Sequence, residues 1–244
     1  MGEPADRPAF YALSPGGWRD YWSLLHPPYT AWHLSYVVIG ACVAPVLDVG
    51  WLVETLLAFF LAMGLAAHAL DELNGRPLRT RIPDGVLWTL AGVGLAGAVA
   101  LGIDGTIEVS PWILLFIVVG AFLVVAYNLE LFGGAFHSDL WFAIAWGAFP
   151  ALTAYFAQTA TTRIEIVLAA VACAAISAAQ RVLSTPVRRL RRSVRSVSGE
   201  LVTNAGDREP IDASTLRAAP EGALRWLSLA IPLLAIAMLW AKLG

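Results

Sequence analysis

Charge is what this sequence has least of. Of 244 residues only 14% are Asp, Glu, Lys or Arg, against roughly 25% in soluble domains. With 58% hydrophobic residues, the chain could not keep a wet surface. That excludes an ordinary soluble domain and leaves the bilayer as its solvent. Cysteine is scarce too. Cys42 and Cys173 each sit in an apolar run and read as small buried side chains rather than a disulfide or metal pair. The first 25 residues hold no apolar run behind a basic start, so no cleavable signal peptide is expected. The net charge of -2 gives no reason to expect a nucleic-acid partner.

What is present is apolar length. Seven stretches near 30–48, 51–73, 84–103, 111–132, 138–158, 163–186 and 223–242 each reach the roughly 17–25 residues that span a bilayer. The expected fold class is all-α: a polytopic transmembrane helical bundle of about seven spans. The expected organisation is a cytoplasmic N-terminal segment over 1–29 and a six-helix core over 30–186. A basic cytoplasmic segment and loop follow over 187–222, and a seventh transmembrane helix over 223–244. Gly133-Gly134 marks a helix stop between the fourth and fifth spans.

Arginine sets the orientation. One set of loops holds Arg7, Arg19, Arg76, Arg79, Arg81 and the arginines of 187–222. The other set holds Arg163 and the terminal Lys242. The N-terminus is therefore expected in the cytoplasm and the C-terminus outside. Val187, Leu190, Val194, Val197 and Leu201 recur at spacings of three and four, with arginines between them. This predicts a basic amphipathic helix over 187–201 lying on anionic lipids, followed by an irregular loop over 203–221.

That topology places the chain's chemistry at one height. His68, Asp71 and Glu72 end the second span, within about 100° of one another on a helix. Asn128 and Glu130 end the fourth span, and His137 and Asp139 start the fifth. His26 precedes the first span and His33 lies one turn inside it. Gln180 and Ser184 lie toward the end of the sixth. All fall at the cytoplasmic side, and the opposite face has no comparable set; Glu54 reads as an interfacial residue. Ionisable groups in spans mark function by default. The expected metal-binding residues are His33, His68, Asp71, Glu72, Glu130, His137 and Asp139. Hard carboxylates alone suit Mg²⁺, and the histidines shift the preference toward iron, manganese or zinc. Helical bundles build two-metal sites from such sets.

The opening Tyr21-Trp-Ser-Leu-Leu-His-Pro-Pro28, with Gly40-Ala41 and Ala44-Pro45 in the span behind it, resembles the first helix of the UbiA-type intramembrane prenyltransferase superfamily. Ala67-His-Ala-Leu-Asp71-Glu-Leu-Asn-Gly-Arg-Pro-Leu78 and Ile82-Pro83-Asp84-Gly85 resemble its first aspartate-rich motif and the stretch after it. Ala126-Tyr-Asn-Leu-Glu130, Gly147-Ala-Phe-Pro150 and Tyr155 resemble its fourth and fifth helices. The resemblance covers roughly residues 18–186. It implies a prenyl diphosphate held through Mg²⁺ above a lipid-open cavity, with Asn128, Gln180, Arg76 and Arg181 as substrate-binding candidates. The chain departs from the family in three ways. Asp71 alone survives of the first motif, the region Ala179–Pro186 lacks the second motif's aspartates, and seven spans are expected where the family generally has nine.

Three readings follow. One is an integral membrane metal-dependent enzyme acting on a lipid or isoprenoid substrate, a two-metal oxidoreductase or hydrolase on a UbiA-like fold. Another is an Mg²⁺-dependent prenyltransferase. The third is a non-enzymatic lipid-binding or assembly protein.

Overall fold

The computed structural model describes residues 7–244, and every one of the seven apolar stretches in it is helical. A short helix α1 (Trp18–Leu24) leads into α2 (Pro27–Val43), α3 (Val49–Leu73), α4 (Asp84–Glu108) and α5 (Ile113–Asn128). Then come α6 (Asp139–Thr159), α7 (Ile164–Arg192), a hairpin of β1 (Gly199–Val202) with β2 (Arg208–Ile211), and α8 (Ala213–Leu243). Five of these, α3, α4, α6, α7 and α8, are long and apolar enough to cross a membrane. The other two, α2 and α5, are helices of 17 and 16 residues. The protein is a multi-pass, all-α membrane protein.

Small residues set the packing. A Cβ placed on Gly40 of α2 would lie 2.1 Å from the Ala151 carbonyl oxygen of α6, and one on Gly147 of α6 would lie 2.7 Å from that of Cys173 on α7. Backbones this close give the contact density that membrane helices rely on. Helix α2 sits innermost, with Trp32, Tyr36, Val37 and Ala41 fully buried. Asp48 and Ser138 accept from the Trp51 and Trp141 N–H groups and so start α3 and α6. Two wide-wound π segments interrupt those helices, Phe60–Ala67 in α3 and Ile144–Ala148 in α6. Such segments are frequent at functional sites.

The C-terminal third departs from expectation. The predicted amphipathic helix over 187–201 does not form as a separate element. Helix α7 runs through Pro186 to Arg192, and Gly199–Val202 is a strand. Arg191 turns inward and makes a two-pronged ion pair with Glu221 of α8, both nearly buried, at 2.7 Å. The predicted irregular loop is a hairpin followed by helix. The last helix begins at Ala213, ten residues before the expected 223, because Asp212 and Thr215 form a reciprocal capping box that satisfies the first free N–H groups. At the other end, the 1–29 segment already contains α1 and the start of α2; its first six residues lie outside the described part.

Candidate functional site

A polar cavity of about 390 Å³ is lined by Trp146 of the second π segment and by His68, the residue that follows the first. Helix α3 contributes His68 and Asp71, one turn apart. The start of α2 contributes His26 and His33, and the end of α5 with the turn after it contributes Tyr127, Asn128, Glu130 and His137. Helix α7 contributes Gln180, Arg181, Ser184, Arg188 and Arg192, spaced so that they share a face. Residues 8–11 of the N-terminal segment close the remaining side. Arg191 and Arg192 hold that segment through the carbonyls of Arg7 (3.1 Å) and Pro8 (3.3 Å).

Three histidines are set in the same tautomer. The Nδ1 of His33 meets the Trp146 carbonyl at 2.9 Å, that of His68 the Gly64 carbonyl at 3.1 Å, and that of His137 the Tyr127 carbonyl at 2.9 Å. A carbonyl oxygen only accepts, so each Nδ1 carries a proton, and in the neutral imidazole the lone pair is on Nε2. Gly64 and Trp146 both lie in the π segments. The irregular winding thus coincides with the carbonyls that orient His68 and His33.

His26 stands apart. Its φ of 47° is left-handed, a conformation that costs a non-glycine residue about 1–3 kcal/mol. Its ring stacks on His68 at 4.0 Å and 17°. Burial, then the neighbouring His68 and the arginines, hold its imidazole well below the ordinary value. Burial also pushes the Tyr11 hydroxyl upward. Four buried side-chain atoms lack a hydrogen-bond partner among the described residues, and three of them, His26 Nε2, Tyr127 Oη and Gln180 Oε1, belong to residues lining this cavity. Each orphan costs about 1–3 kcal/mol in a dry protein, so their concentration at one site points to a polar occupant.

The positive side is under-neutralised. Arg181 is paired with Asp139 at 2.8 Å and lies over the Phe142 ring. Among the described residues neither Arg188 nor Arg192 has a carboxylate within 4.0 Å; their bonds run to Thr185 Oγ1 and the Pro8 carbonyl.

Of the expected site residues, His33, His68, Asp71, Glu130, His137, Asn128, Gln180 and Arg181 line the cavity, and three do not. Glu72 is fully buried on the far side of α3, one position beyond Asp71. Its oxygens accept from Leu78 N (2.9 Å), Thr80 N (2.8 Å) and Thr80 Oγ1 (2.9 Å), so it folds the 74–83 loop and is spent as a ligand. Arg76, expected to bind substrate, bonds the carbonyls of Thr80 and Ile82 and the Asp84 carboxylate. Asp139 is largely exposed at the rim, anchoring Arg181. His26, Tyr127, Arg188 and Arg192 were not among the expected site residues. The recurrence of Gln180, Ser184, Arg188 and Arg192 every four residues was the available signal.

The residues do not form a ready metal centre. Among the described residues no three His, Cys, Asp or Glu side chains are grouped to hold an ion.

A second, apolar cavity of about 120 Å³ lies between α3, α4, α5 and α6, lined by residues such as Phe59, Leu95, Ile117 and Phe149. Trp146 lines both cavities, so polar and apolar chambers adjoin at one indole. No family model, curated protein or solved structure matches the chain.

Proposed function

We propose that the protein is a membrane enzyme acting on a phosphorylated long-chain lipid of the isoprenoid type. The phosphate lies among Arg188, Arg192 and Arg181, and the chain runs past Trp146 into the apolar chamber. The observation that carries this reading is the pairing, in one chamber, of orphaned polar atoms with arginines that have no carboxylate partner among the described residues, and an apolar chamber beside it. An amphiphile with an anionic head satisfies both at once. The UbiA-like reading, with seven spans and the cavity on the cytoplasmic side, is supported by Asp71 at the end of α3 and by the distribution of arginines among the loops. With no ready ion site among the described residues, no step is drawn through a metal.

Binding tests it. Farnesyl diphosphate should bind the purified protein in lipid nanodiscs, and farnesol far more weakly. Each charge-assisted contact is worth about 1.5–3 kcal/mol. The double change Arg188→Gln and Arg192→Gln should therefore weaken binding by about 10²-fold or more. Arg208→Gln, on the exposed hairpin, should leave it unchanged. Equal affinity of the double variant and the parent would refute the proposal.

A metal-dependent enzyme is the second reading, favoured by one observation. Metal-bound imidazoles commonly donate their other ring N–H to a carbonyl, as His33, His68 and His137 do here. Stoichiometric iron, manganese or zinc in the purified protein, lost on His68→Ala, would support it.

A further inference from the structure

We infer that His68 is a nucleophile that takes the phosphoryl group from the lipid, so that the cavity hydrolyses a lipid phosphate through a phosphohistidine. The inference rests on the proposed binding of a lipid phosphate at this site. It goes further in naming the bond that breaks and the residue that breaks it.

Phosphoryl transfer without a protein-bound metal needs a nucleophile that is uncharged at neutral pH. It also needs fixed positive charge for the phosphoryl oxygens and a proton for the departing oxygen. The cavity holds all three. His68 donates Nδ1–H to the Gly64 carbonyl at 3.1 Å, which leaves the Nε2 lone pair as the reactive site. One face of its ring is covered by the stacked His26 at 4.0 Å, so its direction of attack is constrained. Arg188 and Arg192 lie one turn apart on α7 and line the same cavity. Asp71 follows His68 by one turn on α3 and lines the cavity with it. Neither His33 nor His137 has a carboxylate three or four residues along its own helix in this way. His33 is deeply buried, and His137 sits at the rim, where Nδ1 also lies 3.9 Å from Glu130.

The chemistry balances with water as the only co-reactant. In the first step the Nε2 lone pair forms a bond to phosphorus. The bond from phosphorus to the lipid oxygen breaks, and its electron pair stays on that oxygen. The oxygen takes the proton of the Asp71 carboxyl group, giving the free alcohol. In the second step water attacks phosphorus and gives a proton to the Asp71 carboxylate. The phosphorus–nitrogen bond breaks, its pair returns to Nε2, and inorganic phosphate leaves. Arg188 and Arg192 hold the non-bridging oxygens throughout. The net change is lipid phosphate plus water to lipid alcohol plus phosphate.

The test uses the full chain in nanodiscs with farnesyl monophosphate, in ¹⁸O-enriched water with EDTA present. The released phosphate should carry the ¹⁸O and farnesol should carry none. With ³²P-labelled substrate, an acid-labile and alkali-stable label should form on the protein, mapped by mass spectrometry to residue 68. His68→Asn should slow turnover by about 10³-fold or more and abolish the label, whereas Arg208→Gln, on the exposed hairpin, should keep it. If His68→Asn fails to fold, the ¹⁸O position and the mapped label in the parent protein decide. Asp71→Asn supplied with farnesyl diphosphate should accumulate label, because farnesyl phosphate departs without a proton while hydrolysis lacks its base. Phosphate-lipid binding with no label, or with ¹⁸O in the alcohol, overturns the phosphohistidine and leaves the proposed function standing. Absence of binding removes both.

Discussion

Replacing Glu72 by Gln separates a loop-folding carboxylate from a ligand. The carboxylate is wholly buried and accepts three hydrogen bonds, from Leu78 N, Thr80 N and Thr80 Oγ1, at 2.8–2.9 Å. In glutamine the amide oxygen can keep the Thr80 pair as neutral bonds. The amide nitrogen then faces the Leu78 N–H, donor against donor. A stranded buried donor costs about 1–3 kcal/mol, and two bonds lose their charge assistance, which is worth roughly 1 kcal/mol each. The expected loss is about 3–5 kcal/mol. Equilibrium unfolding in mixed micelles measures the total. Trypsin cleavage after Arg79 and Arg81, in the loop that Glu72 holds, reports the local part and should accelerate. A loss below about 0.5 kcal/mol with unchanged cleavage would refute the reasoning. Phosphate-lipid affinity should fall only modestly, since Glu72 does not line the cavity.

Other perturbations probe the packing and the charges. Gly40→Ala places a methyl group 2.1 Å from the Ala151 carbonyl oxygen, and forcing α2 from α6 should cost about 3 kcal/mol or more. Gly92→Ala on α4 meets open space and should be neutral or gain up to about 1 kcal/mol; thermal melting compares the two. Arg191→Met removes the buried partner of the Glu221 carboxylate, leaving it the exposed Arg225, and should cost about 3 kcal/mol, most of it recovered when Glu221→Leu is added. The imidazole of His26 titrates below its ordinary 6.5, so the unfolded chain binds the proton more readily than the folded one. Stability from this group is therefore full above about pH 6.5 and falls as pH drops below it. His26→Gln should reduce that slope in unfolding measured between pH 5 and 8.

The candidate site was legible in part, and the residues show where. Asp71 and Glu72 are neighbours in the chain and chemically alike, and a helical wheel puts them on one face with His68. In the structure one lines the cavity and the other is spent on Leu78 and Thr80. The loop that claims Glu72 folds back from residues 78–80, and no local pattern announces such a contact. Arg188 and Arg192 show the reverse. A basic run beside apolar residues reads as a membrane-surface helix, because sequence periodicity does not say whether a polar face meets lipid headgroups or protein. Residues 8–11 and α8, distant in sequence, supplied that protein.

What the sequence alone determined follows from composition over windows of a helix or longer. The bilayer as solvent, the helical class, the seven apolar segments and the gathering of histidines and carboxylates near one end all depend on local apolarity and residue order. The tertiary structure decided what depends on direction and partnership: which nitrogen of His33, His68 and His137 faces a carbonyl, and which arginines lack a carboxylate among the described residues. It also decided that His26, unremarkable beside Pro27 in the chain, lies stacked on His68 in a strained backbone conformation. Those properties arise from groups as far apart as His33 and Trp146, and only packing brings such groups within hydrogen-bonding distance.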